Sequence, residues 1–183
     1  MSLTQSCPFC REQLPGNGDE ADRITMRRVE ANDPVAIHEI GVKHYIDGDY
    51  GSAYNCFKDA AKLGDVESHY SMSHMYREGF GVQKDEKMKV YHLEEAAIGG
   101  HVDARYNLAS YEWSNHKFNR ALKHWVIAAR LGHNESMQIL ERSFTLGNLL
   151  SKEDFTSTLH AFQTAVDASV SPQREAAAKA DAA

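Results

Sequence analysis

Apolar residues recur along the middle of the chain with the spacing of a helical stripe. The first clear example is Tyr54, Phe57, Ala60 and Ala61, which are spaced i, i+3, i+6 and i+7 and so share one helical face. The pattern returns 36 residues later and again 32 residues after that, each time with an Ala-Ala pair followed by a glycine. These offsets predict an internal repeat with a period in the thirties, which is typical of helical solenoids.

A second helix is predicted before each of these stripes. It carries a small residue and, four positions later, an apolar one, as in Ala36 and Ile40. Helix pairs of this size cannot bury their apolar faces alone, so they stack on one another. We therefore predict an all-α fold, an α-α superhelix (solenoid) of stacked helix pairs. Its units are 33–65, 66–101, 102–133 and a degenerate 134–168.

The fourth unit departs from the pattern. Its second helix is predicted over 155–167, with a buried stripe of Leu159, Phe162, Ala165 and Val166. A degenerate last repeat suits a cap that presents a more polar outer face. Residues 15–32 are predicted to form a linker and a capping helix, and 169–183 a flexible tail.

One loop and two helix segments resemble a known family. These are Tyr76-x-x-Gly79-x-Gly81-Val82-x-x-Asp85, the later Ala96-Ala97-x-x-Gly100, and Ala104-Arg105-Tyr106-Asn107-Leu108-Ala109. They look like Sel-one-like repeats of the tetratricopeptide-like superfamily, and the resemblance covers 33–168. It implies stacked helix pairs that bind other proteins and often work as adaptors, without catalysis.

The beginning of the chain carries a Cys-Pro-x-Cys pair, Cys7 and Cys10. Two cysteines at this spacing supply half of a tetrahedral zinc site. The run resembles the last ligand pair of a RING-type zinc finger, and that resemblance implies that Cys7 and Cys10 are zinc ligands. The other ligand pairs are missing, so we expect 1–14 to be a disordered remnant, and we expect zinc to bind only if the finger is complete in a longer protein.

Three interpretations of this pair stay open. The chain is a truncated product of a longer protein, a short paralogue with a vestigial pair, or the carrier of a redox Cys-x-x-Cys, although no βαβ fold is predicted to hold such a motif. The first interpretation leads to the alternative function, an adaptor or subunit of a RING-type ubiquitin ligase.

Charge and composition narrow the possible partners. The 183-residue chain has a formal net charge of −6, whereas nucleic-acid binding usually requires a basic excess. No apolar run approaches the roughly 20 residues of a membrane helix. An odd count of three cysteines does not make a disulfide framework. We expect protein partners, no nucleic acid, no membrane and an intracellular, cytoplasmic location.

Ten histidines raise the question of metal binding or catalysis. Cys56, His92 and His124 occupy equivalent positions on successive second helices, but neighbouring helix axes stand about 8–10 Å apart, too far for one ion. We expect these side chains to pack, each histidine with a ring nitrogen hydrogen-bonded. His101 and His133 follow the closing glycines, where a positive charge would interact favourably with the dipole of the preceding helix. The chain lacks hydrolase, zincin and phosphate-loop motifs, so no cofactor and no catalytic residue is predicted.

The remaining candidate for a functional site is a surface on the first helix of each pair. Positions two, three and six beyond the small core residue point away from it and form columns along the array. Tyrosine is common at interfaces because its ring buries area while its hydroxyl keeps a partner. We therefore predict a non-enzymatic interaction scaffold or adaptor, with a partner groove at His38, Glu39, Tyr70, Ser71, His74, Tyr106 and Asn107.

Overall fold

A computed structural model describes residues 18–147 and 150–169, and the side chains of 21–145 and 150–169. The described residues form nine α-helices and no strand, which confirms the all-α prediction. Their bounds are α1 Gly18–Glu30, α2 Pro34–Ile46, α3 Tyr50–Lys62, α4 Val66–Glu78, α5 Glu86–Ile98, α6 Val102–Ser114, α7 Phe118–Arg130, α8 Asn134–Gly147 and α9 Lys152–Ser169. None of these helices is long and apolar enough to cross a membrane.

Aspartates cap the starts of four helices, and Asp49 does so for α3 by accepting a hydrogen bond from the Ser52 N–H. The Asp33 carboxylate accepts hydrogen bonds from the backbone N–H groups of Val35 and Ala36, and Pro34 occupies the first turn of α2. Asp65 and Asp85 cap α4 and α5 in the same way, as their positions before the apolar stripes predict. Each cap satisfies backbone donors that a helix N-terminus otherwise leaves unpaired.

The chain divides into two compact units, one ending at Lys84 and the other beginning at Asp85. In the first unit, α2, α3 and α4 enclose a core of Ala53, Phe57, Met72 and Met75. In the second, α6, α7 and α8 enclose a core that is centred on Leu122, Trp125 and Leu140. Every member of the predicted small-residue column is fully buried, namely Ala36, Ser68, Ala104 and Ser136.

The predicted stripe of the last helix is wrong at its first position. Leu159 is exposed, while its neighbour Thr158 is fully buried. Phe162 does pack against the second unit's core. The inward face of α9 instead runs through Phe155, Thr158 and Phe162, which are spaced i, i+3 and i+7.

A buried carboxylate joins α6 to α7. Glu112 is only 4% exposed, and its oxygens contact Arg120 Nη2 at 2.8 Å and Lys117 Nζ at 3.4 Å. Both cations lie largely in solvent. The sequence alone did not identify this carboxylate as buried, because burial of a charge depends on partners, here Lys117 and Arg120, that come from the start of the next helix.

The two sides of this ion pair are expected to respond unequally to mutation. Arg120→Ala leaves a buried carboxylate with a weaker partner and should lower the free energy of unfolding by about 1.5–3 kcal/mol. Glu112→Gln leaves only exposed cations, which water can solvate, and should cost about 1 kcal/mol or less. Urea titration measures both, with Arg130→Ala as the control because Arg130 bonds only the exposed Ser157. Equal losses for Arg120→Ala and Glu112→Gln would contradict this account.

Candidate functional site

The first unit contains a cleft between α2 and α4, floored by α3. Its volume is about 240 Å³, and it is open to solvent on one side. Six side chains line it: Val42, Tyr45, Phe57, Tyr70, Ser71 and His74. Most of this lining is aromatic or aliphatic, as is usual for sites that hold an apolar group.

The helical register explains why these residues meet. Val42 and Tyr45 lie four and seven positions after His38, so the three share one face of α2. Tyr70 and His74 are spaced i and i+4 on α4, which places both on the opposing wall. The repeat therefore builds both walls of the cleft from the first helices of two successive pairs.

The floor of the cleft depends on close packing at Gly41. A Cβ atom at Gly41 would lie 2.7 Å from Cε1 of Phe57, closer than real contacts allow. Phe57 is 2% exposed, and its ring centroid lies 5.3 Å from that of His38 with the two rings tilted by 38°. Glycine at this position lets the ring sit directly against the α2 backbone.

Two hydrogen-bonded pairs bridge the walls. His38 Nε2 lies 3.4 Å from Ser71 Oγ, and Tyr45 Oη lies 3.4 Å from His74 Nδ1. Burial lowers the pKa of His74, and the Arg77 cation lowers it further. Burial raises the pKa of Tyr45. Both shifts favour the uncharged forms, a neutral His74 ring and a protonated Tyr45 hydroxyl.

The predicted groove residues fall into both units. His38, Tyr70, Ser71 and His74 meet at the cleft, while Glu39 lies on α2 with its carboxylate 3.5 Å from Arg28 Nη1. In the second unit, the Tyr106 ring lies 4.8 Å from the His133 ring, and Asn107 is half-buried. The predicted groove omitted Val42, Tyr45 and Phe57, although the spacing from His38 to Val42 and Tyr45 was available in the sequence.

His101 and His133 act differently from the prediction. Each begins a helix, with its Nδ1 accepting a hydrogen bond from a backbone N–H, from Ala104 for His101 and from Ser136 for His133. The other nitrogen of His133 lies 3.3 Å from the Asp103 carboxylate. A ring nitrogen that accepts from the backbone carries no proton, so these residues are caps of the following helix rather than cations at the end of the preceding one.

The Cys56, His92 and His124 column is a packing feature. His92 is buried, and Cys56 and His124 are half-buried. Burial raises the pKa of the Cys56 thiol and lowers that of His124. Among the described residues, the buried Nδ1 of His124 has no hydrogen-bond partner. Those residues also contain no group of three His, Cys, Asp or Glu side chains suited to a metal ion.

Cys7 and Cys10 lie outside the described residues. Their assignment as zinc ligands, and with it the ubiquitin-ligase hypothesis, stays a prediction from the sequence.

The helix pairs and the buried small-residue column define a helical-repeat fold, and two solved structures share it. A Sel1 repeat protein from Oxalobacter formigenes matches with a TM-score of 0.67 and 24% identity, over 84% of this chain and 66% of its own. A protective antigen of uropathogenic Escherichia coli strains that displays an SLR fold matches with a TM-score of 0.62 and 18% identity, over 84% of this chain and 34% of its own. The predicted all-α superhelix of Sel-one-like helix pairs is confirmed.

One curated protein shares a segment of sequence. The chitin synthase regulator SKT5 of Saccharomyces cerevisiae is 36% identical over 74 residues, which are 38% of this chain and 11% of the regulator. The chain thus spans a small part of that protein. No protein-family profile matches the chain. The solved structures support the Sel-one-like resemblance, whereas none of these findings supports the RING-type resemblance of the cysteine pair.

Proposed function

We propose that this protein is a non-enzymatic interaction scaffold that binds a protein partner through the first helices of its repeats. The observation that carries the proposal is the cleft between α2 and α4, an open apolar recess bordered by polar pairs. Repeat folds present continuous surfaces of this kind because each unit offers the same helical face. The Sel1-type fold supports the proposal, and the function requires no cofactor.

The composition of the cleft fits peptide recognition. Aromatic rings supply contact area at low conformational cost, and the Tyr45, Ser71 and His74 polar atoms can pair with a peptide backbone. The described residues contain no cluster of three His, Cys, Asp or Glu side chains suited to a metal ion. No observation favours the ligase alternative over this one.

The proposal is tested with peptides selected from a random display library on the full chain. Tyr70→Ala removes a wall of the cleft and should weaken a selected peptide by about thirty-fold, since a central aromatic contact is typically worth at least about 2 kcal/mol. Titration calorimetry measures the affinity, and a thermal melt reports folding.

The matched control is Tyr91→Ala, which removes an exposed tyrosine of α5 that does not line the cleft. Its affinity should be unchanged. Unchanged binding by Tyr70→Ala together with a lower melting temperature would show that Tyr70 stabilises the fold rather than contacting the peptide, and would contradict the proposal.

A further inference from the structure

The cleft between α2 and α4 has no charged side chain in its lining. Arg77 and Glu78 are the charges that act on His74, and they pair with each other at 2.6 Å. An ionised side chain entering the cleft would lose hydration and gain no counter-ion, which is costly. The lining therefore discriminates against carboxylate and ammonium groups.

The size of the cleft limits what an uncharged occupant can be. An apolar cavity of about 150 Å³ is enough to hold benzene. At about 240 Å³, the cleft has room for the ring of a phenylalanine or the branched chain of a leucine. The Phe57 ring supplies a flat floor, and Val42 with Tyr70 supplies apolar walls.

We propose that the cleft receives one large uncharged side chain of a partner protein, of the leucine or phenylalanine class, and that it binds this side chain most tightly while His74 is neutral. This inference rests on the proposed function and names the chemistry of its anchor. Tyr45 Oη and Ser71 Oγ form long bonds of 3.4 Å within the cleft, so each keeps capacity to pair with the backbone that flanks the anchor.

Protonation of His74 is expected to make binding in the cleft depend on pH. It faces Tyr45 from α2 and the Phe80 ring after α4, while Arg77 and Glu78 are the charges on its own helix. Phe57 is the α3 residue that lines the cleft, and it carries no charge. An apolar anchor removes more water from the His74 ring and so lowers its pKa below that of the free protein. Binding is then strongest above the free-state pKa and weakens as the pH falls through it, by at most about tenfold per pH unit for one proton.

The test uses capped amino acids as anchors on the full chain. N-acetyl-leucinamide and N-acetyl-phenylalaninamide should bind in the low millimolar range, which matches a ligand of about a dozen heavy atoms. N-acetyl-glutamate amide and N-acetyl-lysinamide should bind at least about tenfold more weakly. Chemical-shift changes in NMR spectra at Val42, Tyr70 and His74 report occupancy. Equal affinity for a charged anchor, or shifts away from these residues, would overturn the proposal.

The pH arm compares two histidine variants. Affinity for N-acetyl-leucinamide should fall between about pH 7.5 and about pH 5 in the native protein and in His38→Gln, and it should stay level in His74→Gln. A level profile in the native protein, or one that levels in His38→Gln instead, would overturn the role of His74.

The outcomes also separate this inference from the proposed function. If a display-selected peptide occupies the cleft with a charged anchor, the anchor chemistry is wrong and the scaffold function stands. If neither peptides nor capped amino acids shift the cleft residues, both are wrong.

Discussion

Replacement of Phe57 by alanine is expected to lower the free energy of unfolding by about 3–5 kcal/mol, the range for deleting a buried aromatic side chain. The Phe57 ring packs with Ala53, Met72 and Met75 in the first unit's core and also floors the cleft. Its removal leaves a void that Gly41 cannot fill, because this residue has no side chain. The variant should therefore lose both stability and peptide binding.

The matched control for this variant is Phe118→Ala. Phe118 is 41% exposed at the start of α7, so its truncation removes little buried area and should cost about 1 kcal/mol or less. Guanidinium titrations of both variants give the comparison. Similar losses at the two positions would show that Phe57 is not the anchor of the first unit's core.

Gly81→Ala is expected to destabilise the protein by about 2–5 kcal/mol. Gly81 has a φ of +67°, and a Cβ atom there would lie 2.4 Å from the carbonyl oxygen of Tyr50. The left-handed backbone costs an alanine roughly 1–2 kcal/mol, and relief of the clash costs about 1–3 kcal/mol more. Relief would also disturb the Phe80 ring, which stacks on Tyr50 with centroids 4.6 Å apart.

Gly48→Ala separates the two contributions. Gly48 also has a positive φ, +80°, but a Cβ atom there would meet nothing within 4 Å. This variant should lose only the roughly 1–2 kcal/mol of backbone strain. If both glycine variants lose the same stability, the close approach of Gly81 to Tyr50 has no energetic weight.

The repeat allowed much of the fold to be predicted from sequence. The small-residue column requires close helix approach, and its four members are fully buried. The caps Asp33, Asp65 and Asp85 were predictable because an aspartate directly before a helix can accept hydrogen bonds from the unpaired N–H groups of the first turn. These features depend on local or periodic sequence patterns, so they can be predicted from a single sequence.

The features that escaped prediction depend on contacts between helices. Burial of Glu112 requires its partners Lys117 and Arg120, which lie at the start of the next helix. Thr158 is buried where Leu159 was predicted to be, and this depends on how α9 packs against the core. His101 and His133 were assigned to the end of one helix and cap the next, because a histidine between two helices is adjacent to both dipoles. Four residues of the predicted groove do meet at the cleft, and its floor at Phe57 was predicted only as core.

The most direct test of the central claim is chemical-shift mapping of a display-selected peptide on the full chain by NMR. We expect the largest changes at the cleft, on Val42, Tyr45, Tyr70, Ser71 and His74, with a core residue such as Trp125 of the second unit unmoved. Changes that cluster instead on the exposed aromatic turn of Trp113 and Phe118 would contradict the claim that the α2–α4 cleft is the partner-binding site.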